Sequence, residues 1–287
     1  MLVQQLLKSA AAELAGAGIE SSALEAQLLL QDCLDVSRSG LFLLLGQQVN
    51  RGARLRFQEF INRRCQREPL QYILGECEFW SLDFLLTPDV LIPRPETEFL
   101  LEHVITVLDR RKRFVKGSFL DVCTGSGIIA VVLAREFAEA RIHAADFSRK
   151  ALAVAQKNIV RHDLGQRIPL ICADLLTGFK ENSPFDVIVC NPPYVKAVDI
   201  PGLEPEVRDW EPELALSGGP TGMDVIQRIV VQAASHLTIG GWLFMEIGAD
   251  IEKPVIDVCS SSTRYDQVKV VPDLAGNPRV LQARFIG

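Results

Sequence analysis

The stretch VIVCNPPYV at 187–195 contains the residues that folding alone explains least well. Four apolar residues run without a polar interruption, and the chain then passes directly into Asn191, Pro192, Pro193 and Tyr194. Two successive prolines restrict the backbone, so the Asn191 side-chain oxygen and the Pro192 carbonyl are pre-set acceptors. Each can take one N–H of a planar NH2 group, and Tyr194 offers an aromatic wall against such a plane. The nitrogen of an amide or an exocyclic amine is a poor nucleophile because its lone pair is delocalised. A group transferred to it must therefore be helped by position and electrostatics, not by a strong base. Read without chemistry, the same tetrapeptide is a proline-stiffened loop.

Three earlier positions of the same kind precede it. In DVCTGSGIIA, Asp121 to Ala130, the residues Cys123, Thr124, Gly125, Ser126 and Gly127 lead into a helix, whose free N–H groups would face an anionic or polar ligand. A glycine pair alone fits a nucleotide-binding loop and a plain tight turn equally. Asp146 ends the next apolar run, about twenty residues on, where a carboxylate can accept hydrogen bonds from ribose hydroxyls. A dinucleotide and S-adenosylmethionine both satisfy that spacing. Asp174 in CADLL, with Leu175 after it, either accepts from the exocyclic amine of adenine or caps a turn. Dinucleotide chemistry has no use for Asn191 to Tyr194 at the fourth strand end, whereas methyl transfer to a planar nitrogen does.

The elements that must position these residues follow from periodicity. SFLDVCT, RIHAADFS, IPLICAD, FDVIVCN and GGWLFMEIG are short apolar runs, each followed by a helical or loop segment. Runs this uniformly apolar belong to a parallel sheet covered on both faces, with ligands beyond the carboxyl ends of its strands. YDQVKVVPD and PRVLQARFI are joined by a short loop and are expected to pair as an antiparallel hairpin at the end of that sheet. Ahead of the sheet, PRPETEFLLEHVITVLDRRKR sets Pro95 at a helix start, Glu96 and Glu98 in the first turn and four basic residues in the last. ECEFWSLDFLLTPDVLI reads as a β-hairpin connector over 76–94.

Residues 1–75 read as a helical bundle. Val3, Leu6, Leu7, Ala10 and Leu14 form one apolar stripe, and Phe57, Phe60, Ile61 and Cys65 another. Ser22 and Glu25 have capping-box spacing ahead of Leu28, Leu29 and Leu30. The arginines between 51 and 67 read first as a solvated helix face. The remaining residues, 95–287, are expected to form a second, α/β domain.

Composition excludes several classes. The 287 residues are 48% apolar, enough for a proper core, and the net charge of −6 argues against a general nucleic-acid binder. No apolar stretch reaches membrane-spanning length and no secretory pattern opens the chain, so a soluble cytoplasmic protein is expected. The seven scattered cysteines suggest neither a disulfide framework nor a metal site. Nothing calls for an obligate dimer, so a monomer is expected.

With these residues in view, the chain resembles the peptide chain release factor glutamine N5-methyltransferases, class I S-adenosylmethionine-dependent enzymes. The resemblance rests on PLQYILGECEFWSLDFLLTPDVLIPRPETE, DVCTGSG, NPPYV, LEPEVRDWEPELALSGGPTGMD and DLAGNPRVLQAR, in that order. IPRPETE and EVRDWEP are the most specific, because DNA methyltransferases share the Asn-Pro-Pro-Tyr but not these segments. The resemblance implies an α/β fold, a Rossmann-like seven-stranded sheet preceded by a helical bundle that helps recognise the release factor. It implies that Cys123 to Gly127 contact the methionine part of S-adenosylmethionine, Asp146 the ribose, and Asp174 with Leu175 the adenine. Asn191 to Tyr194 would hold the glutamine of the factor's Gly-Gly-Gln loop, with S-adenosylhomocysteine as the other product. Pro93 to Glu96 would lie beside the pocket with Arg94 in its wall, and Glu204 and Arg208 would organise the loop after the site. The family usually has glycine at position 123 and often at 81; if position 123 needs a positive φ, its cysteine is strained. The alternative substrate is an adenine amino group of a nucleic acid, which normally requires a basic recognition region that this chain lacks. A non-catalytic protein retaining the fold is a further reading, motivated by Cys123.

Overall fold

The computed structural model describes residues 1–109, 114–180 and 184–287. The chain forms two compact units: Met1–Glu76 together with Glu204–Trp210, and Cys77–Leu203 together with Glu211–Gly287.

In the first unit, α1 (Val3–Gly16), α2 (Ser22–Leu34), α3 (Arg38–Leu43), α4 (Arg51–Cys65) and α5 (Leu70–Leu74) surround one apolar cluster. Val3, Leu6, Ala10 and Leu14 from α1 meet Leu29 and Leu30 from α2 and Phe57, Phe60 and Ile61 from α4. The capping box expected at Ser22 does not form: Ser21 precedes the helix and its side chain makes no capping bond. Glu25 is engaged elsewhere, accepting from Arg64 Nε at 2.6 Å. The reading of the arginines as a solvated face holds for Arg51, Arg54 and Arg56, which are exposed, and is corrected for Arg64 and Arg67. Arg64 is only 6% exposed and bridges Glu25 to Glu206, the latter at 2.9 Å. Arg67 reaches the other oxygen of Glu206 at 2.6 Å. Burial alone would push the Glu206 carboxyl up, but Arg67 and Arg64 hold it below the usual range.

The second unit begins within β1 (Glu76–Phe79), which pairs with β2 (Leu82–Leu85) as a two-stranded hairpin. Its two turn residues, Trp80 and Ser81, both have φ of 55°, as a primed turn requires. There follow α6 (Pro95–Asp109), β3 (Ser118–Val122), α7 (Ile128–Glu136), β4 (Arg141–Asp146), α8 (Arg149–Arg161), β5 (Leu170–Cys172) and β6 (Phe185–Cys190). After α9 (Pro205–Arg208), in the segment that groups with the first unit, come α10 (Glu213–Leu216), α11 (Asp224–His236), β7 (Leu237–Glu246), α12 (Glu252–Ser261), β8 (Tyr265–Pro272) and β9 (Pro278–Phe285). The acidic first turn of α6 is present, while the basic residues expected in its last turn, 110–113, lie outside the described residues.

The main sheet has seven strands in the order β5-β4-β3-β6-β7-β9-β8. β3 to β7 are parallel, and β9 lies antiparallel between β7 and β8, so the final hairpin closes one edge as its short loop requires. Both faces are covered, which accounts for the unbroken apolar runs. Val187 and Val189 of β6 face the layer of α6 and α7, and Ile188 and Cys190 face the layer of α11 and α12. β7 begins at Leu237 and not at the Gly240 suggested by the GGWLFMEIG run, and its register with β6 shifts around Phe185 and Val187. Among the described residues no helix is long and apolar enough to cross a membrane. All seven cysteines are free.

Replacing Arg64 by methionine should lower the stability of the first unit by about 2–3 kcal/mol, because two half-buried carboxylates lose their shared cation. Chemical unfolding of the purified protein measures it; an unchanged midpoint would show the network to be energetically idle.

Candidate active site

The four strand ends face one cavity of about 330 Å³. Cys123, Thr124, Gly125 and Ser126 line it after β3, Asp146 and Phe147 after β4, Asp174 and Leu175 after β5, and Asn191 and Pro193 after β6. Pro93 and Thr97 line it from the start of α6, and Leu214, Ala215, Val225 and Arg228 from α10 and α11. This is where an open parallel sheet places a ligand, beside the point at which the strand order reverses.

Buried carboxylates shape the first loop. Asp121 is fully buried, and its Oδ2 accepts from the Thr124 hydroxyl at 2.5 Å and the Ala130 N–H at 3.1 Å. Among the described residues its Oδ1 has no hydrogen-bond partner, and burial pushes this carboxyl up to about 7. Asp146 accepts from Gly125 N–H at 2.9 Å and Ser148 N–H at 2.8 Å, and burial raises its pKa against those bonds. Gly127 has φ of 85°, and a Cβ there would lie 3.1 Å from the Ala155 Cβ, so α8 can pass close to the loop only over a glycine. Cys123 has φ of 60°, so the departure from glycine does place a side chain in the left-handed region. Leu175 also has a positive φ, 55°. Asn158, fully buried on α8, joins this loop to the hairpin: it donates to Ser126 O and Leu85 O and accepts from Leu85 N–H. The sequence offered no signal for that link.

Asp174 forms an ion pair with Arg228 at 2.6 Å, and the turn after it is closed by its backbone carbonyl, not by its side chain. Arg94, expected in the cavity wall, donates to the buried Glu211 at 2.5 Å, joining the IPRPETE and EVRDWEP segments through space. Burial raises the Glu211 carboxyl, with Arg94 acting against it. Glu204, one of the residues expected to organise the following loop, has an 80% exposed side chain, and Arg208 pairs with its neighbour Asp209. Glu206 is the anchored carboxylate of that segment.

Of the tetrapeptide, Asn191 and Pro193 line the cavity, and Pro192 and Tyr194 adjoin them in the chain. The Tyr194 hydroxyl donates to Glu246 Oε1 at 3.1 Å. Asn191 Nδ2 donates to Thr97 Oγ1 at 3.0 Å, and Thr97 Oγ1 donates to Glu246 Oε2 at 2.7 Å. Thr97 and Glu246 are each 1% exposed. Gly222 packs against the same backbone, where a Cβ would fall 2.5 Å from the Tyr194 carbonyl oxygen. No local pattern marks Thr97 or Glu246, although Thr97 stands in IPRPETE and Glu246 in GGWLFMEIG. Cys190, at the end of β6, has its thiol pushed up first by burial and then by neighbouring Cys123, which disfavours thiolate chemistry.

Comparisons with known proteins agree with this architecture. Residues 5–75 match the family model described as PrmC N-terminal domain, and residues 95–201 match the methyltransferase small domain. The release factor glutamine methyltransferase of Koribacter versatilis is 43% identical over 99% of both chains. That of Moorella thermoacetica is 40% identical over 99% of this chain and 98% of its own. Among solved structures, a methyltransferase from Pyrococcus furiosus superposes with a TM-score of 0.52 at 19% identity, covering 79% of this chain and 98% of that one, which supports the fold.

The strain at Cys123 has a measurable consequence. Cys123→Gly should stabilise the protein by about 0.5–1 kcal/mol, the relief of left-handed strain exceeding the entropy that glycine adds to the unfolded chain. Thermal unfolding checks it, and a lower midpoint would mean that the thiol's packing outweighs the strain.

Proposed function

The chain belongs to the release factor glutamine methyltransferase family, and on that footing we propose that it transfers a methyl group from S-adenosylmethionine to the side-chain amide nitrogen (N5) of a release factor glutamine, S-adenosylhomocysteine leaving and that nitrogen losing one proton to solvent. The glutamine is that of the Gly-Gly-Gln loop of class 1 peptide chain release factors in the cytoplasm. One observation carries this reading: an amide acceptor, Asn191, faces the same cavity as Gly125, Asp146 and Leu175.

The residues present fit the cofactor. The Asp146 oxygens accept from the Gly125 and Ser148 N–H groups and retain lone pairs for ribose hydroxyls. Phe147, Ile129 and Leu175 supply apolar wall for a purine, with Asp174 at its edge. A Cβ built on Gly125 would meet nothing within 4 Å, so the loop presents bare backbone to the cavity. Bound there, S-adenosylmethionine supplies an electrophilic methyl group on a sulfonium. The protein's part is positional. Asn191 Oδ1 and the Pro192 carbonyl accept the two N–H groups of the glutamine amide and hold its nitrogen toward the cavity, while the prolines stiffen the backbone that carries both acceptors. The net charge of −6 works against the alternative of a nucleic-acid adenine as acceptor.

Mass spectrometry of a release factor incubated with the protein and S-adenosylmethionine should show one added methyl group. A factor with the Gly-Gly-Gln glutamine changed to alanine should show none. Methylation of an adenine oligonucleotide in its place would overturn the proposal.

Two substitutions separate the roles. Asn191→Ala should lower turnover by about 10²-fold or more while leaving cofactor affinity intact, since the acceptor orients the target and not the cofactor. In a binding titration, Asp146→Ala should weaken S-adenosylmethionine; unaltered affinity would remove Asp146 from the ribose.

A further inference from the structure

We propose that Thr97 and Glu246 are positioning residues that dictate the orientation of the Asn191 amide, so that its oxygen and not its nitrogen meets the acceptor. The inference deepens the methyl-transfer reading and rests on it.

An asparagine amide is nearly symmetric in shape, and its two ends differ only in hydrogen-bonding sense. Turned one way, Asn191 accepts an N–H of the target. Turned the other way, it presents its own NH2 to that NH2, and donors face each other. The tetrapeptide's prolines stiffen the backbone but leave this choice open, because it lies in the side-chain torsion.

Glu246 makes the choice. The Thr97 hydroxyl donates to Glu246 Oε2, 2.7 Å away, and while that carboxylate is ionised it can only accept, so the hydroxyl spends its single proton on it. The Thr97 oxygen then has only lone pairs to offer, and the atom of Asn191 beside it, at 3.0 Å, must be a donor. Nδ2 is thereby fixed inward and Oδ1 is left outward. A flipped amide would set Oδ1 against a lone pair in a site where Thr97 and Glu246 are almost fully buried and water cannot make up the loss. The other Glu246 oxygen takes the Tyr194 hydroxyl at 3.1 Å, so both ends of the tetrapeptide hang from one carboxylate. Burial pushes this carboxyl up, while Thr97, Tyr194 and Arg279 act against that push.

Thr97→Val keeps the side chain's shape and removes the relay. It should lower kcat on a release factor by about 10²-fold, the cost of a mis-set acceptor, with S-adenosylmethionine affinity unchanged. Thr97→Ser, which retains the hydroxyl, should restore most of the activity. In an Asn191→Ala background, Thr97→Val should cost nothing more, because the residue it positions is already gone. If Thr97→Val fails to fold, Glu246→Gln carries the same expectation, since an amide at that position can donate to Thr97 and release the fixed sense.

Wild-type turnover in the valine variant would overturn the inference. So would a full additional loss in the Asn191→Ala background, or a parallel fall in cofactor affinity. Failure of the wild-type protein to methylate any release factor would overturn the underlying reading instead, and that result is read before any variant is made.

Discussion

A buried carboxylate can accept hydrogen bonds but not donate them, and the geometry at the carboxyl end of this sheet depends on that one-sidedness. Asp121 in β3 gathers the Thr124 hydroxyl and the Ala130 N–H. Asp146 at the end of β4 gathers the N–H groups of Gly125 and Ser148. Glu246 at the end of β7 gathers the hydroxyls of Thr97 and Tyr194. In each case two groups on a loop or neighbouring element are turned toward one strand end, and in each case burial raises the carboxyl's pKa. The cost of removing these charges from water is offset only while the donors remain in place, so the loops and the strands hold one another to a single arrangement.

The same one-sidedness operates with cations in the loop segments. Glu211 is met by Arg94, and Glu206 by Arg64 and Arg67. The difference is one of geometry. A guanidinium offers several donors in a rigid fork, so Arg64 can serve two carboxylates, Glu25 and Glu206, at once. Position 208, which by resemblance would organise its loop, instead pairs with the adjacent residue at the surface, where screening leaves an ion pair little energy.

The first loop also carries backbone strain. Cys123, Gly125 and Gly127 all have positive φ, which bends the chain tightly enough to bring the Gly125 N–H to Asp146. Two of the three positions meet this need with glycine, and the third does so with a half-buried thiol. Strain at such a position persists only because the surrounding bonds over-determine it, here Thr124 N–H to the Ala145 carbonyl on one side and the Asp121 contacts on the other.

Much of the fold was legible in the residues alone. A strand covered on both faces must be apolar at consecutive positions, so FDVIVC and WLFMEI announce the sheet, and the short loop before PRVLQARF announces the antiparallel edge. The residues at the strand ends were legible for a related reason: each stands next to a strand in the chain, and parallel pairing brings those ends to one side of the sheet. What the sequence could not reveal were partners far apart along it. Thr97 meets Glu246 across 149 positions, Arg94 meets Glu211 across 117, and Arg64 meets Glu206 across 142. Local periodicity carries no information about such pairs, because they are chosen by how layers stack and not by the spacing of neighbours. Sequence by itself therefore determined that an asparagine would stand at the end of the fourth parallel strand, where it lines the cavity. Only the tertiary structure decided which end of its amide faces outward, because that depends on a hydroxyl and a carboxylate brought from other elements.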